Sequence, residues 1–199
     1  MSARTISAAV CTALALTLAS AIPALAHGNT GNNLSLQAAS PCPRDPGTPP
    51  ANAIVDGGAN DNDKRPHYIK GTNGPDTIWG TNEGDTIEGL GGDDIICGFD
   101  GPDSIEGGPG ADTIDAGKGN DYVEGEGSGD TIYGGPGADT LLGHPGDDTI
   151  YANDQFNAND NAKDTINGGG GNNDICYYTP TTDPTTNDTA TECEVTHTP

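Results

Sequence analysis

The chain has 199 residues, with 30 acidic side chains against 7 basic ones, a formal net charge of −23, 31 glycines, 15 prolines and only 5% aromatics. A negative charge of this density excludes nucleic acid and anionic membrane surfaces as partners. The same composition leaves little apolar surface to bury and on its own predicts disorder, so an ordered chain needs something to offset the acids.

Residues 1–26 carry one early positive charge at Arg4, an apolar run (AAVCTALALTLASAI) and a small-residue site at Ala24, Leu25 and Ala26. This is the pattern of a secretory signal peptide cleaved before His27, which makes the protein secreted and extracellular. Cleavage removes one Arg and no acids, leaving 6 basic against 30 acidic groups, a net charge of −24. No second apolar stretch follows, so no membrane insertion is expected. Four cysteines remain, Cys42, Cys97, Cys176 and Cys193. An even number in an exported chain predicts disulfides, and the absence of a CxxC pair argues against zinc.

Residues 27–61 read as a Pro-rich irregular segment around PCPRDPGTPP. Residues 62–70 read as an N-terminal cap strand, with Tyr68, Ile69 and Lys70 in strand pattern and His67 where the later units place an acid. From residue 71 to 176 the chain repeats. Asp76, Asp85, Asp94, Asp103, Asp112, Asp121, Asp130, Asp139 and Asp148 recur every nine residues, and two positions after each comes an apolar residue, from Ile78 to Ile150. Each unit is thus a six-residue Gly/Asp loop followed by a three-residue strand whose middle side chain points inward. A seven-residue insertion within ANDQFNANDNAK delays the tenth unit to Asp164 and Ile166. The eleventh, GGGGNNDIC, is expected to place Asn173 in the acidic column and Ile175 in the apolar one. Residues 177–199 form a Thr/Asp/Pro-rich tail.

Units such as GGPGADTID, GGPGADTLL and AGKGNDYVE resemble the RTX, or hemolysin-type calcium-binding, repeat family, whose consensus is GGxGxDxUx with U a large apolar residue. The resemblance implies an all-β fold, a parallel β-roll (a two-sheet β-solenoid) with two repeats per turn, so that unit n stacks on unit n+2. It further implies calcium ions between stacked loops, held by backbone carbonyls and by the carboxylates of Asp76, Asp85, Asp94, Asp103, Asp112, Asp121, Asp130, Asp139, Asp148 and Asp164. Counted over the first nine units, the stacked pairs allow about seven ions. The chemistry of the residues agrees: calcium takes six to eight hard oxygen ligands, and glycine lets carbonyls turn toward an ion. Without a cation, carboxylates about 5 Å apart along each edge would repel by about 1 kcal/mol per pair even in water.

In such a roll Cys97 and Cys176 stand four turns, about 19 Å, apart and cannot bond to each other. Two pairings remain; the short tail favours Cys176 with Cys193 and hence Cys42 with Cys97, and the family resemblance points the same way. Glu88, Glu106 and Glu124 fall in the ninth position of alternate units and read as a solvated strand face, with a weak cation site as the alternative. Trp79, Tyr133 and Tyr151 fall in the ninth position on the opposite sheet and read as exposed strand residues, with a partner-contact surface as the alternative.

No HExxH, GxSxG or phosphate loop occurs, so no enzymatic activity is expected. About 44 mature residues before the repeats and 23 after them leave no room for the catalytic domain that such repeats often accompany. The resemblance therefore implies a non-enzymatic calcium-binding protein; the alternative is a cell-surface adhesion or matrix protein with a protein or cell-wall polysaccharide partner. Gram-negative members of the family typically carry a C-terminal export signal, so a toxin role is not carried over to a chain with an N-terminal one.

Overall fold

A nine-residue unit has too few residues to bury its one apolar side chain alone, so the units stack. The computed structural model describes residues 40–43, 49–55, 67–152, 162–178 and 188–197. The segment expected to be a signal peptide, most of the Pro-rich segment and the insertion lie outside these residues. The described strands form two parallel sheets. One contains β1 (Ile54–Val55), β3 (Thr77–Trp79), β5 (Ile95–Cys97), β7 (Thr113–Asp115), β9 (Thr131–Tyr133), β11 (Thr149–Tyr151), β13 (Ile175–Tyr177) and β15 (Val195–His197). The other contains β2 (His67–Lys70), β4 (Asp85–Glu88), β6 (Ser104–Pro109), β8 (Tyr122–Gly127), β10 (Thr140–Leu142), β12 (Thr165–Asn167) and β14 (Thr189–Thr191). Each strand pairs with the strand two places on, the wiring of a parallel β-roll with two repeats per turn.

The register places like residues on like: Ile78 on Ile96, Ile96 on Ile114, Ile114 on Ile132 and Ile132 on Ile150 in one sheet. Ile69, Ile87, Ile105, Val123, Leu141 and Ile166 do the same in the other. These side chains fill the narrow space between the sheets, and nearly all are fully buried.

Two expectations are corrected in the eleventh unit. Ile150 pairs with Cys176, not with Ile175, so Cys176 is the inward residue and is fully buried. Its loop is one residue longer than the repeat, which moves the acidic column from Asn173 to Asp174. The roll also continues past Cys176: β14 pairs with β12 and β15 with β13. Tail residues with little apolar content can do this because the sheet supplies their backbone partners, and because the Cys176–Cys193 disulfide holds them in place, with Cα atoms 6.0 Å apart.

The other disulfide joins Cys42 to Cys97, Cα atoms 5.7 Å apart. It lays the N-terminal segment across the ninth-position face of the first sheet, where the Ser40 hydroxyl donates to Asp115. Trp79 and Phe99 pack edge to face at 5.2 Å against this segment. The expectation of exposed aromatics is therefore overturned: Trp79, Tyr133 and Tyr151 are all buried. Tyr133, Tyr151 and Tyr177 stack in a ladder with centroids 4.8 and 4.5 Å apart. In a parallel in-register sheet, identical residues one turn apart are placed face to face, and their rings shield one another.

Candidate metal centre

The acidic column runs along the two edges where loops meet strands. Each backbone N–H of the column donates to Oδ1 of the Asp one turn on: Asp76 to Asp94, Asp94 to Asp112, Asp112 to Asp130 and Asp130 to Asp148 along one edge, at 2.7 to 2.9 Å. Asp85, Asp103, Asp121, Asp139 and Asp164 make the same ladder along the other edge, at 2.7 to 2.9 Å. The ladder continues through Asp148 to Asp174 and Asp164 to Asp188, and ends where Asp174 donates to a Glu194 carboxylate oxygen at 2.6 Å. The structure thus brings all ten sequence-expected Asp residues into two columns, and adds Asp174, Asp188 and Glu194. Asp174 was hidden by its odd spacing, and the last two by the absence of a glycine loop before them.

One carboxylate oxygen is spent on the ladder; the other divides the column into two kinds of site. In the first two units the second position is Thr. The Thr72 N–H and hydroxyl donate to Asp76 Oδ2 at 2.6 and 2.9 Å. The Thr81 N–H and hydroxyl donate to Asp85 Oδ2 at 2.7 and 3.2 Å. In the third to ninth units and in the eleventh, the second position turns left-handed, with φ of 78° at Leu90, 81° at Phe99, 104° at Gly108, 78° at Glu126 and 71° at His144. In these loops Oδ2 of Asp94, Asp103, Asp112, Asp121, Asp130, Asp148 and Asp174 is buried with no hydrogen-bond partner among the described residues. A row of buried, unsatisfied carboxylate oxygens is costly unless a cation meets it.

The loops are shaped to admit one. A β-carbon on Gly89 would come 2.7 Å from Asp94 Oδ2, so the first-position glycine leaves the oxygen clear. At Gly108 and Gly110 a β-carbon would overlap the carbonyl oxygens of Leu90 and Gly92 on the neighbouring loop. Stacked loops thus place backbone carbonyls and orphaned carboxylate oxygens around a common space, the hard all-oxygen donor set that suits calcium rather than a softer ion.

The electrostatics carry the same strain. Burial pushes the Asp103 carboxyl up to about 8, opposed by the N–H bond from Asp85 and reinforced by the charges of Asp121 and Asp85. Burial likewise raises Asp130 to about 7, and Asp112, Asp121 and Asp148 to about 6. A bound cation at this spot would reverse the effect by favouring the ionised form.

The family model for the RTX calcium-binding nonapeptide repeat matches in four copies, over residues 70–98, 98–128, 124–157 and 160–176. The chain belongs to the RTX calcium-binding repeat family. Comparison with curated proteins finds no match. RTX repeats carry a calcium-binding role, and here the matched residues include those of the two acidic columns from Asp76 to Asp174. The Glu88, Glu106 and Glu124 column lies outside the loops that hold these columns, and Glu88 pairs with Lys70 at 2.6 Å.

Proposed function

We propose that this RTX protein is a secreted, non-enzymatic calcium-binding protein whose roll folds as it takes up calcium outside the cell. The observation that carries the reading is the row of buried Oδ2 atoms, from Asp94 to Asp174, without partners among the described residues. Calcium at these oxygens would supply the missing positive charge, and binding free energy then becomes folding free energy. Two disulfides and the signal-like N-terminus support an oxidising, extracellular setting. Extracellular modules bind calcium on the order of 10⁻⁴ to 10⁻³ M, well above the level inside a cell.

The left-handed loops stack as pairs at Asp94/Asp112, Asp112/Asp130, Asp130/Asp148 and Asp148/Asp174 on one edge, and at Asp103/Asp121 and Asp121/Asp139 on the other. Counting four and two gives about six calcium positions, distributed differently from an even count over the first nine units. Asp76 and Asp85 are satisfied by their own threonines and serve as the ladder's first rungs. An adhesive face built on Trp79, Tyr133 and Tyr151 loses its support, because those rings are buried.

Calcium titration of the mature chain by far-ultraviolet circular dichroism tests this reading. A cooperative gain of β signal and of protease resistance is expected in the millimolar range. The same spectrum and resistance in excess chelator would refute it.

A further inference from the structure

Apart from the calcium loops, one cluster among the described residues combines nitrogen and oxygen donors within reach of a single ion. The ligand atoms of Glu124, Glu126 and His144 all lie within 4.8 Å of one another, each side chain partly exposed. Glu124 and Glu126 leave β8 in its ninth and second repeat positions, and His144 holds the second position one turn on. These two second positions are left-handed, where Gly108, Gly117, Gly135 and Gly169 carry no side chain at all. Glu126 and His144 therefore project from neighbouring turns of one edge, between the bare second positions Gly108 and Gly169, and Glu124 reaches them from the strand face.

We propose that Glu124, Glu126 and His144 form a second metal site, for a transition ion of the zinc class, which clips two adjacent turns of the roll together. Two ligands at the usual zinc distances around a tetrahedral ion are about 3.4 Å apart. The His144 Nε2 to Glu124 Oε1 distance is 3.4 Å. The Tyr122 hydroxyl donates to the same Glu124 oxygen at 2.8 Å, fixing the carboxylate in the way an outer-shell partner orients a ligand. On its other side His144 borders an open groove with Leu142, Asn167, Gly169 and Glu192, which leaves space for water to complete the coordination.

The donor set separates this site from the loops. Imidazole with two carboxylates suits zinc, whereas calcium prefers oxygen alone. The three side chains meet only when the two turns are stacked, so zinc binding presupposes the folded roll and in turn stabilises it. The inference goes beyond the calcium reading, because its ligands are none of the column carboxylates.

Cobalt(II), whose visible bands report coordination, is the probe. Titrated into the calcium-loaded mature chain, it is expected to give the intense bands of a low-coordinate site, abolished by zinc and left unchanged by more calcium. His144→Gly and Glu126→Gly install the residue that this column already tolerates, so the calcium-loaded circular dichroism should stay as in the wild type. Each should weaken cobalt affinity by at least the order of tenfold to a hundredfold. Bands that persist in His144→Gly, bands that calcium competes away, or no bands at all would overturn the proposal. Should a variant fail to fold, the wild-type chain decides through the imidazole resonances of His144, which are expected to shift when zinc is added; unshifted resonances would also overturn it. The circular dichroism reports calcium folding separately, so failure here is distinguishable from failure of the calcium reading.

Discussion

The backbone N–H of Asp112 donates to Oδ1 of Asp130 at 2.9 Å across 18 residues of sequence, while Oδ2 of each residue is buried without a partner among the described residues. One oxygen keeps the register and the other waits for charge. Asparagine in both places keeps an acceptor for the ladder and removes the two negative charges. The double variant Asp112→Asn/Asp130→Asn is expected to raise the calcium midpoint by about tenfold, or ~1.4 kcal/mol, and to make the transition less steep. A calcium titration by circular dichroism checks this, and an unmoved midpoint would rule out these two carboxylates as ligands.

The threonine-closed loops predict the opposite outcome. Thr72 and Thr81 already satisfy Oδ2 of Asp76 and Asp85. Asp76→Asn should leave the number of bound calcium ions as it is in the wild type, whereas Asp121→Asn should reduce it. Equilibrium dialysis with each folded variant measures both numbers. A loss of bound calcium in Asp76→Asn would place an ion in the first loops.

The pH dependence of the calcium-free chain follows from the raised carboxyls. Asp103 and Asp130 hold their protons up to about 8 and about 7 in the folded state, and Asp112, Asp121 and Asp148 up to about 6. In the unfolded chain the same groups release theirs near 3.9. The folded state thus binds more protons between these limits, so its stability falls as pH rises. Calcium-free protein should gain β signal on acidification toward pH 4 and lose it as pH climbs through about 6 to 8. A β signal in chelator that grows with rising pH would contradict the assigned environments.

Core and face are separated by neighbouring residues. Ile114 is fully buried between the sheets, and Asp115 beside it points outward to Ser40. Ile114→Ala should cost about 3 kcal/mol through the cavity it leaves. Asp115→Ala should cost about 1 kcal/mol through loss of the hydrogen bond from Ser40. Thermal unfolding in saturating calcium measures the two, and equal losses would mean that the strand faces are exchanged.

Much of this architecture was legible in the residues because the repeat is rigidly periodic from Asp76 to Asp148. A fixed nine-residue step leaves the chain one way to put Ile78, Ile96, Ile114 and Ile132 in a single file. Legibility failed where the step changed: in GGGGNNDIC an amide and an acid are adjacent, and the strand register together with the bond from Asp148 N–H selects Asp174. It failed again at Trp79, because the segment that covers it comes from residues near Cys42, far away in sequence. The division between closed and open loops was hidden as well. Threonine at the second position could be seen, but Leu90, Phe99, Glu126 and His144 show that a missing glycine there does not by itself prevent the left-handed turn.

The aromatics of the first sheet give the two ends of the roll separate optical signatures. Trp79, the only tryptophan, packs beside the Cys42–Cys97 disulfide, an efficient quencher of indole fluorescence, so its emission reports the early rungs. The parallel rings of Tyr133, Tyr151 and Tyr177 are close enough for their near-ultraviolet transitions to couple, and that coupling exists only while the late rungs are aligned. Followed together after a calcium jump, the two signals reveal at which end the roll begins to wind, with no label attached to the protein.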